Sequence, residues 1–146
     1  MTRQSEIIVA NALRAFLSRR NDLVLQLVSP GGQAALSLTF CGRGGTRKTI
    51  FPDLILMTPT AIVIGECKPY FSKVDYDKLV ELNEFGKAEI LSFWNRRKPI
   101  GYTSAPLIQM VLCHASRNPI ARPIVYQWVM QGDIFEVISP SVGDGS

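Results

Sequence analysis

Two apolar runs, Phe51 to Met57 and Ala61 to Cys67, are joined by Thr58-Pro59-Thr60, and they carry Asp53, Glu66 and, just past the second run, Lys68. Short Ile-, Leu- and Val-rich runs around a turn-forming spacer read as strand, tight turn, strand. Such strands pair antiparallel, and a turn centred between Pro59 and Thr60 sets Asp53 opposite Glu66, with side chains roughly 5 Å apart. Pro-Thr is not the favoured two-residue hairpin turn, so a register displaced by one residue is the competing expectation, and strand twist would keep the carboxylates close even then. Residues two apart on a strand share a face. Lys68 therefore falls beside Glu66, while the Cys67 side chain turns away and leaves its carbonyl near the carboxylates.

An ionised side chain inside an apolar run is costly unless something pairs with it. Two carboxylates facing each other repel, and one must keep its proton unless a cation stands between them. A divalent ion removes the conflict. Two carboxylates, a carbonyl and waters are hard oxygen ligands that suit Mg²⁺ or Mn²⁺ rather than zinc. Lys68 would add positive charge beside the attacking water, and metal and ammonium together would meet the charge that develops on a phosphodiester. The plainer reading has Asp53 capping a turn and Glu66 and Lys68 forming a salt bridge at a strand end.

The Pro-Asp, the spacer and the Glu-x-Lys, on two hydrophobic strands after an N-terminal helix, resemble the PD-(D/E)XK nuclease superfamily, the restriction-endonuclease-like fold. The resemblance covers roughly residues 2–95 and implies an α/β domain with a central mixed β-sheet flanked by helices. Carried over by residue, it implies catalytic Asp53, Glu66 and Lys68, with the metal on Asp53, Glu66 and the carbonyl of Cys67. A carboxylate on the first helix often completes such a site, and Glu6 matches it. Thr2 to Arg20 has Val9, Leu13, Phe16 and Leu17 at helical spacing, and Glu6 falls on that inward stripe. An acid in a first turn also favours the helix dipole, which is the ordinary explanation of Glu6. The family's members cleave many substrates, so the resemblance supplies a reaction class and no target.

Basic residues cluster near these strands. Arg43, Arg47 and Lys48 crowd a Gly-rich loop, Gly42 to Thr49, just before Pro52-Asp53; Lys73 and Lys78 follow Lys68; Arg96-Arg97-Lys98 end a later helix beside Trp94 and Tyr102. Basic groups near a metal site can hold phosphates, and an aromatic can stack on an exposed base. The overall excess, 16 basic against 12 acidic for a net +4, is modest and names no partner by itself.

At 146 residues and 47% hydrophobic, the chain fits one globular domain, 1–140, with a flexible tail at 141–146, and is not composed like a disordered one. No run approaches a membrane-spanning length and the N-terminus lacks a signal-peptide pattern. Cys41, Cys67 and Cys113 are odd in number and lack zinc spacing, which points to reduced thiols and a cytoplasmic setting. Leu23 to Val28, Ala34 to Phe40, Leu107 to Cys113, Ile124 to Met130 and Ile134 to Ile138 read as strands. Ser72 with Asp75 reads as a helix start, opening a helix of about twenty residues that is interrupted at Gly86.

Two decoys are set aside. Gly42 to Thr49 nearly spells a phosphate-binding P-loop, but Arg47 stands where the second glycine belongs, and a strand follows instead of a helix. His114, the single histidine, ends a strand without any motif around it and reads as a packed residue. Gln109 and Tyr126 lie on strands that could neighbour the site.

The resulting expectation is a Mg²⁺-dependent endonuclease acting on nucleic acid, DNA before RNA, structure-specific, resolvase-like or of a phage or homing type. Duplex cleavage takes two cuts and one domain offers one site, which favours a homodimer. The rival expectations are a non-catalytic nucleic-acid-binding module and a nuclease subunit active only within a larger complex.

Overall fold

Thr58 closes the hairpin between the two apolar runs. Its N–H donates to the Ala61 carbonyl at 2.9 Å, and its Oγ1 accepts from the Ala61 N–H at 3.1 Å. The side chain thus satisfies turn groups that would otherwise need water. In the computed structural model, which describes residues 8, 9, 11, 12, 25–28, 37–132 and 134–142, this turn sets the register Leu54↔Gly65 through Met57↔Ile62.

The described elements run β1 (Leu25–Val28), β2 (Leu38–Cys41), β3 (Arg47–Ile50), β4 (Leu54–Met57), β5 (Ala61–Cys67), α1 (Lys73–Phe85), α2 (Lys87–Arg97), β6 (Leu107–His114), β7 (Val125–Gln131) and β8 (Ile134–Ile138). The fold is α/β. One six-stranded mixed sheet has the order β1-β4-β5-β6-β7-β8, and β2 and β3 form a separate hairpin. Pairing is parallel from β5 through β6 to β7 and antiparallel elsewhere. The parallel β5–β6 step needs a crossover connection, and α1 and α2 supply it.

Both faces of the sheet are covered, which is why β4 and β5 read as continuous apolar runs instead of alternating ones. On one face Ile55, Ile62, Ile64 and Leu112 pack with Leu79 and Leu82 of α1 and with Ile90, Phe93 and Trp94 of α2. Leu38, Phe40 and Ile50 of the β2–β3 hairpin join the same cluster. The other face gathers Leu54, Leu56, Val63, Cys67, Val111 and Trp128, with Val9 packed among them. Residues 8, 9, 11 and 12 have helical backbone; the rest of the expected N-terminal helix, Glu6 included, lies outside the described residues. Residues 143–146 of the tail lie outside them as well.

Two boundaries and one side-chain placement differ from expectation. Phe51 to Asp53 are not strand: β4 begins at Leu54, and Phe51 is exposed beside the buried Pro52. Proline has no N–H for a ladder, so pairing starts only after it. The supposed loop Gly42 to Thr49 is half strand. Its Arg47, Lys48 and Thr49 pair with Cys41, Phe40 and Thr39, and the reversal is made at Gly44 and Gly45, both at positive φ near 80°. The interruption expected at Gly86 is present and divides the helical stretch into α1 and α2. Gly86 ends α1 with its N–H on the Leu82 carbonyl at 2.8 Å, and a Cβ there would meet Leu82 Cδ1 at 2.5 Å. Finally, Trp94 is no stacking platform, because it is fully buried and donates its Nε1–H to the Thr103 carbonyl at 2.8 Å. No helix among the described residues is long and apolar enough to cross a membrane.

Candidate active site

Continued by one step, the β4–β5 register brings Asp53 opposite Glu66, and there side chains take over from the ladder. The Asp53 N–H donates to Glu66 Oε2 at 3.3 Å, and the Cys67 N–H donates to Asp53 Oδ2 at 3.0 Å. Each carboxylate holds the other strand's backbone. Both are buried, 6% and 4% exposed.

Such a pair cannot keep two full charges cheaply. Burial first, then a hydrogen bond with the Glu66 side chain and repulsion from its charge, push the Asp53 carboxyl from 3.8 up to about 8, against the pull of the Cys67 N–H and of Lys68. Without a divalent ion, and despite the nearby lysines, Asp53 therefore favours its protonated form at neutral pH.

Lys68 leaves β5 with its N–H on the Cys113 carbonyl at 2.8 Å, which extends the β5–β6 pairing by one residue and fixes where the side chain departs. Its Nζ stands 3.7 Å from Asp75 Oδ2. Asp75 enters from α1. Ser72 caps that helix, its Oγ accepting from the Asp75 N–H at 3.2 Å, and this start turns Asp75 and Lys78, three apart on one face, toward the end of β5. Lys78 Nζ lies 3.0 Å from Glu66 Oε1 and 3.4 Å from Asp75 Oδ1. Burial works against the Lys78 ammonium, yet Glu66 and then Asp75 outweigh it and raise its pKa above the ordinary lysine value. Asp75 is 5% exposed, and its Oδ2 is buried with no hydrogen-bond partner among the described residues.

Asp53, Glu66, Lys68, Asp75 and Lys78 share one open cleft of about 250 Å³, closed on its far side by Thr49 to Phe51. The volume suits ions, waters and a phosphate rather than a nucleotide-sized cofactor. A shallow groove continues from it between β3 and α1, past Lys78 and Thr49 to Lys48 and Glu81, and on to Arg43.

The basic residues are placed less simply. Lys78 is in the cleft. Lys73 is outside it, paired with Asp77 at 2.6 Å and lying 5.7 Å from the Tyr76 ring. Arg43 pairs with Glu84 at 2.9 Å and Lys48 with Glu81 at 2.5 Å, so two of the hairpin cations are tied to α1, while Arg47 is exposed. Gly42 makes this docking feasible, since a Cβ there would meet Glu81 Oε2 at 2.5 Å.

The Cys67 side chain lies on the opposite sheet face, where a hydrogen bond with Cys113 and burial push its thiol up. Tyr126 packs on that face too, and Gln109 pairs with Val63, which also belongs to it. Neither reaches the cleft. His114 is fully buried; its Nδ1 accepts from the Ser116 N–H at 3.1 Å, so Nε2 carries the proton and donates to Gln127 Oε1 at 2.8 Å. Burial lowers its pKa, which keeps it neutral.

Asp75 is the residue that sequence reasoning missed as a member of the cleft. The signal available was its spacing from Lys78, which puts an acid and a base on the helix face turned toward the Glu-x-Lys strand.

No family model matches the chain, and no curated protein or solved structure is detectably similar to it. Among the described residues, no group of three or more His, Cys, Asp or Glu side chains is gathered as a metal-holding cluster. The donors that do converge are nonetheless those a hard divalent ion takes. Asp53 and Glu66 interlock only with a proton retained on Asp53, and a buried oxygen of Asp75 lacks a hydrogen bond. This excess of buried carboxylate oxygen fits an added Mg²⁺ or Mn²⁺.

Proposed function

We propose that this chain is a Mg²⁺- or Mn²⁺-dependent nuclease of the PD-(D/E)XK type, built on a restriction-endonuclease-like sheet and hydrolysing phosphodiester bonds in DNA before RNA. The observation that carries the reading is the interlocked, buried Asp53–Glu66 pair with Lys68 opening into the same cleft. Both acids accept a backbone N–H, but a strand end can be closed without burying two carboxylates that must share a retained proton. Chemistry is the better reason to keep them.

A divalent ion on Asp53 and Glu66 would supply the charge that makes water nucleophilic and a phosphate oxygen electrophilic. Cys67 would offer its carbonyl to the same ion. The Lys68 ammonium, at the end of β5, orients the water and offsets charge on the phosphorane. Asp75 Oδ2, at 3.7 Å, holds that ammonium inward. The groove past Lys48 toward Arg43 gives the backbone on either side of the scissile phosphate a path, and its cations bind phosphates without reading sequence.

The test is incubation of the purified chain with supercoiled, linear, branched and single-stranded DNA, and with RNA, with and without Mg²⁺. Products that need Mg²⁺ and vanish in Asp53→Ala support the reading. Tight binding of the same nucleic acids with no products from any of them favours the binding module instead.

A further inference from the structure

We propose that Lys78 is the internal counter-cation of the carboxylate pocket, and that a divalent ion takes Glu66 only by displacing the Lys78 ammonium. The inference rests on the metal-dependent reading above. Lys78 Nζ lies 3.0 Å from Glu66 Oε1, within contact of an oxygen that a metal would use. An ammonium and a divalent ion on one carboxylate oxygen repel strongly in a buried site, so one excludes the other.

The surroundings allow the exchange. Glu66 is held from behind by the Asp53 N–H on its other oxygen, Oε2, and need not move. The Lys78 side chain is 37% exposed and has solvent to swing into, whereas the side chains of Glu66 and Asp75 are 5% and 7% exposed. Asp75 Oδ1, at 3.4 Å and one helical turn away on α1, keeps the ammonium tethered after it leaves Glu66. Lys78 also lines the first stretch of the groove that leads to Lys48. There the released charge meets a phosphate of the bound strand. One side chain thus neutralises the empty pocket and contacts substrate in the loaded one.

Mn²⁺ binding measured by titration calorimetry without nucleic acid tests this in wild type, Lys78→Met, Lys78→Arg and Asp53→Asn. Lys78→Met is expected to bind Mn²⁺ at least about tenfold more tightly than wild type, Lys78→Arg no more tightly, and Asp53→Asn hardly at all. Equal or weaker binding by a folded Lys78→Met, with Asp53→Asn still defective, overturns the displacement and leaves the metal-dependent reading in place. Absence of Mn²⁺ binding in wild type and Lys78→Met alike overturns both. Should Lys78→Met not fold, the ¹⁵N signal of Lys78 Nζ in wild type decides. A shift at saturating Mg²⁺ supports its departure from Glu66, and an unmoved signal in protein that binds Mg²⁺ overturns it.

Discussion

Asp53 and Glu66 clasp each other's strands, the Asp53 N–H resting on Glu66 Oε2 at 3.3 Å while Asp53 Oδ2 receives the Cys67 N–H at 3.0 Å. The acids proposed to bind metal are therefore also the last rungs between β4 and β5, and the ionisation of Asp53 is coupled to folding.

Metal-free stability is expected to fall as pH rises from about 4 to about 8. The Asp53 carboxyl is raised from 3.8 to about 8, so within that window the folded chain keeps a proton that the unfolded chain has lost. The stabilisation is complete below the unfolded value and disappears as pH passes the folded one, at a slope of up to about 1.4 kcal/mol per pH unit. Urea denaturation in chelator across this range, for wild type and Asp53→Asn, checks it. The variant should lose most of the slope; parallel curves would show that another group carries the dependence.

Gly65→Ala is expected to destabilise by about 1–3 kcal/mol. Gly65 sits between Leu54 and β6, where a Cβ would run into the Val111 carbonyl, which is backbone and cannot rotate away. A thermal melt should show a loss of several degrees, and an unchanged midpoint would mean that β5 and β6 lie farther apart.

Neutralising Arg43, Arg47 and Lys48 together should lower nucleic-acid affinity at low salt and flatten the log-log salt dependence by up to about three units, one per phosphate contact. Turnover at saturating substrate should suffer less than in Lys68→Ala. Because Glu84 and Glu81 hold Arg43 and Lys48, the double variant Glu81→Gln, Glu84→Gln should bind more tightly than wild type. The exposed Arg43–Glu84 pair is weak, so a phosphate can compete for Arg43, and removing the Glu81 charge frees Lys48 from its more enclosed partner. An unchanged salt slope in the triple variant would remove the hairpin from the interface.

Much of the cleft's geometry was legible because it depends on local rules. The Thr58-Pro59-Thr60 turn fixes the register, and alternation then places Glu66 and Lys68 on one side and Cys67 on the other. Asp75 escaped because its backbone satisfies the capping reading completely, with its N–H on Ser72 Oγ. The direction of its carboxylate depends on how α1 crosses the sheet, which no local pattern states. Trp94 misled in the opposite sense: beside Arg96-Arg97 it looked like part of a binding patch, yet Ile90, Phe93 and Trp94 form an inward helical stripe that periodicity alone could have assigned to the core. Arg47 to Thr49 pair as strand without an apolar alternation to announce it, since their burial pattern is exposed throughout.

Single-turnover cleavage of supercoiled DNA by wild type and Lys68→Ala at saturating Mg²⁺, with melts confirming that both are folded, bears most directly on the nuclease assignment. Wild type should give Mg²⁺-dependent nicked or linear product, and Lys68→Ala should be slower by about a hundredfold or more, since the lysine acts on the water and the transition state. Equal rates in the two proteins, or no product from wild type on any substrate, would contradict it.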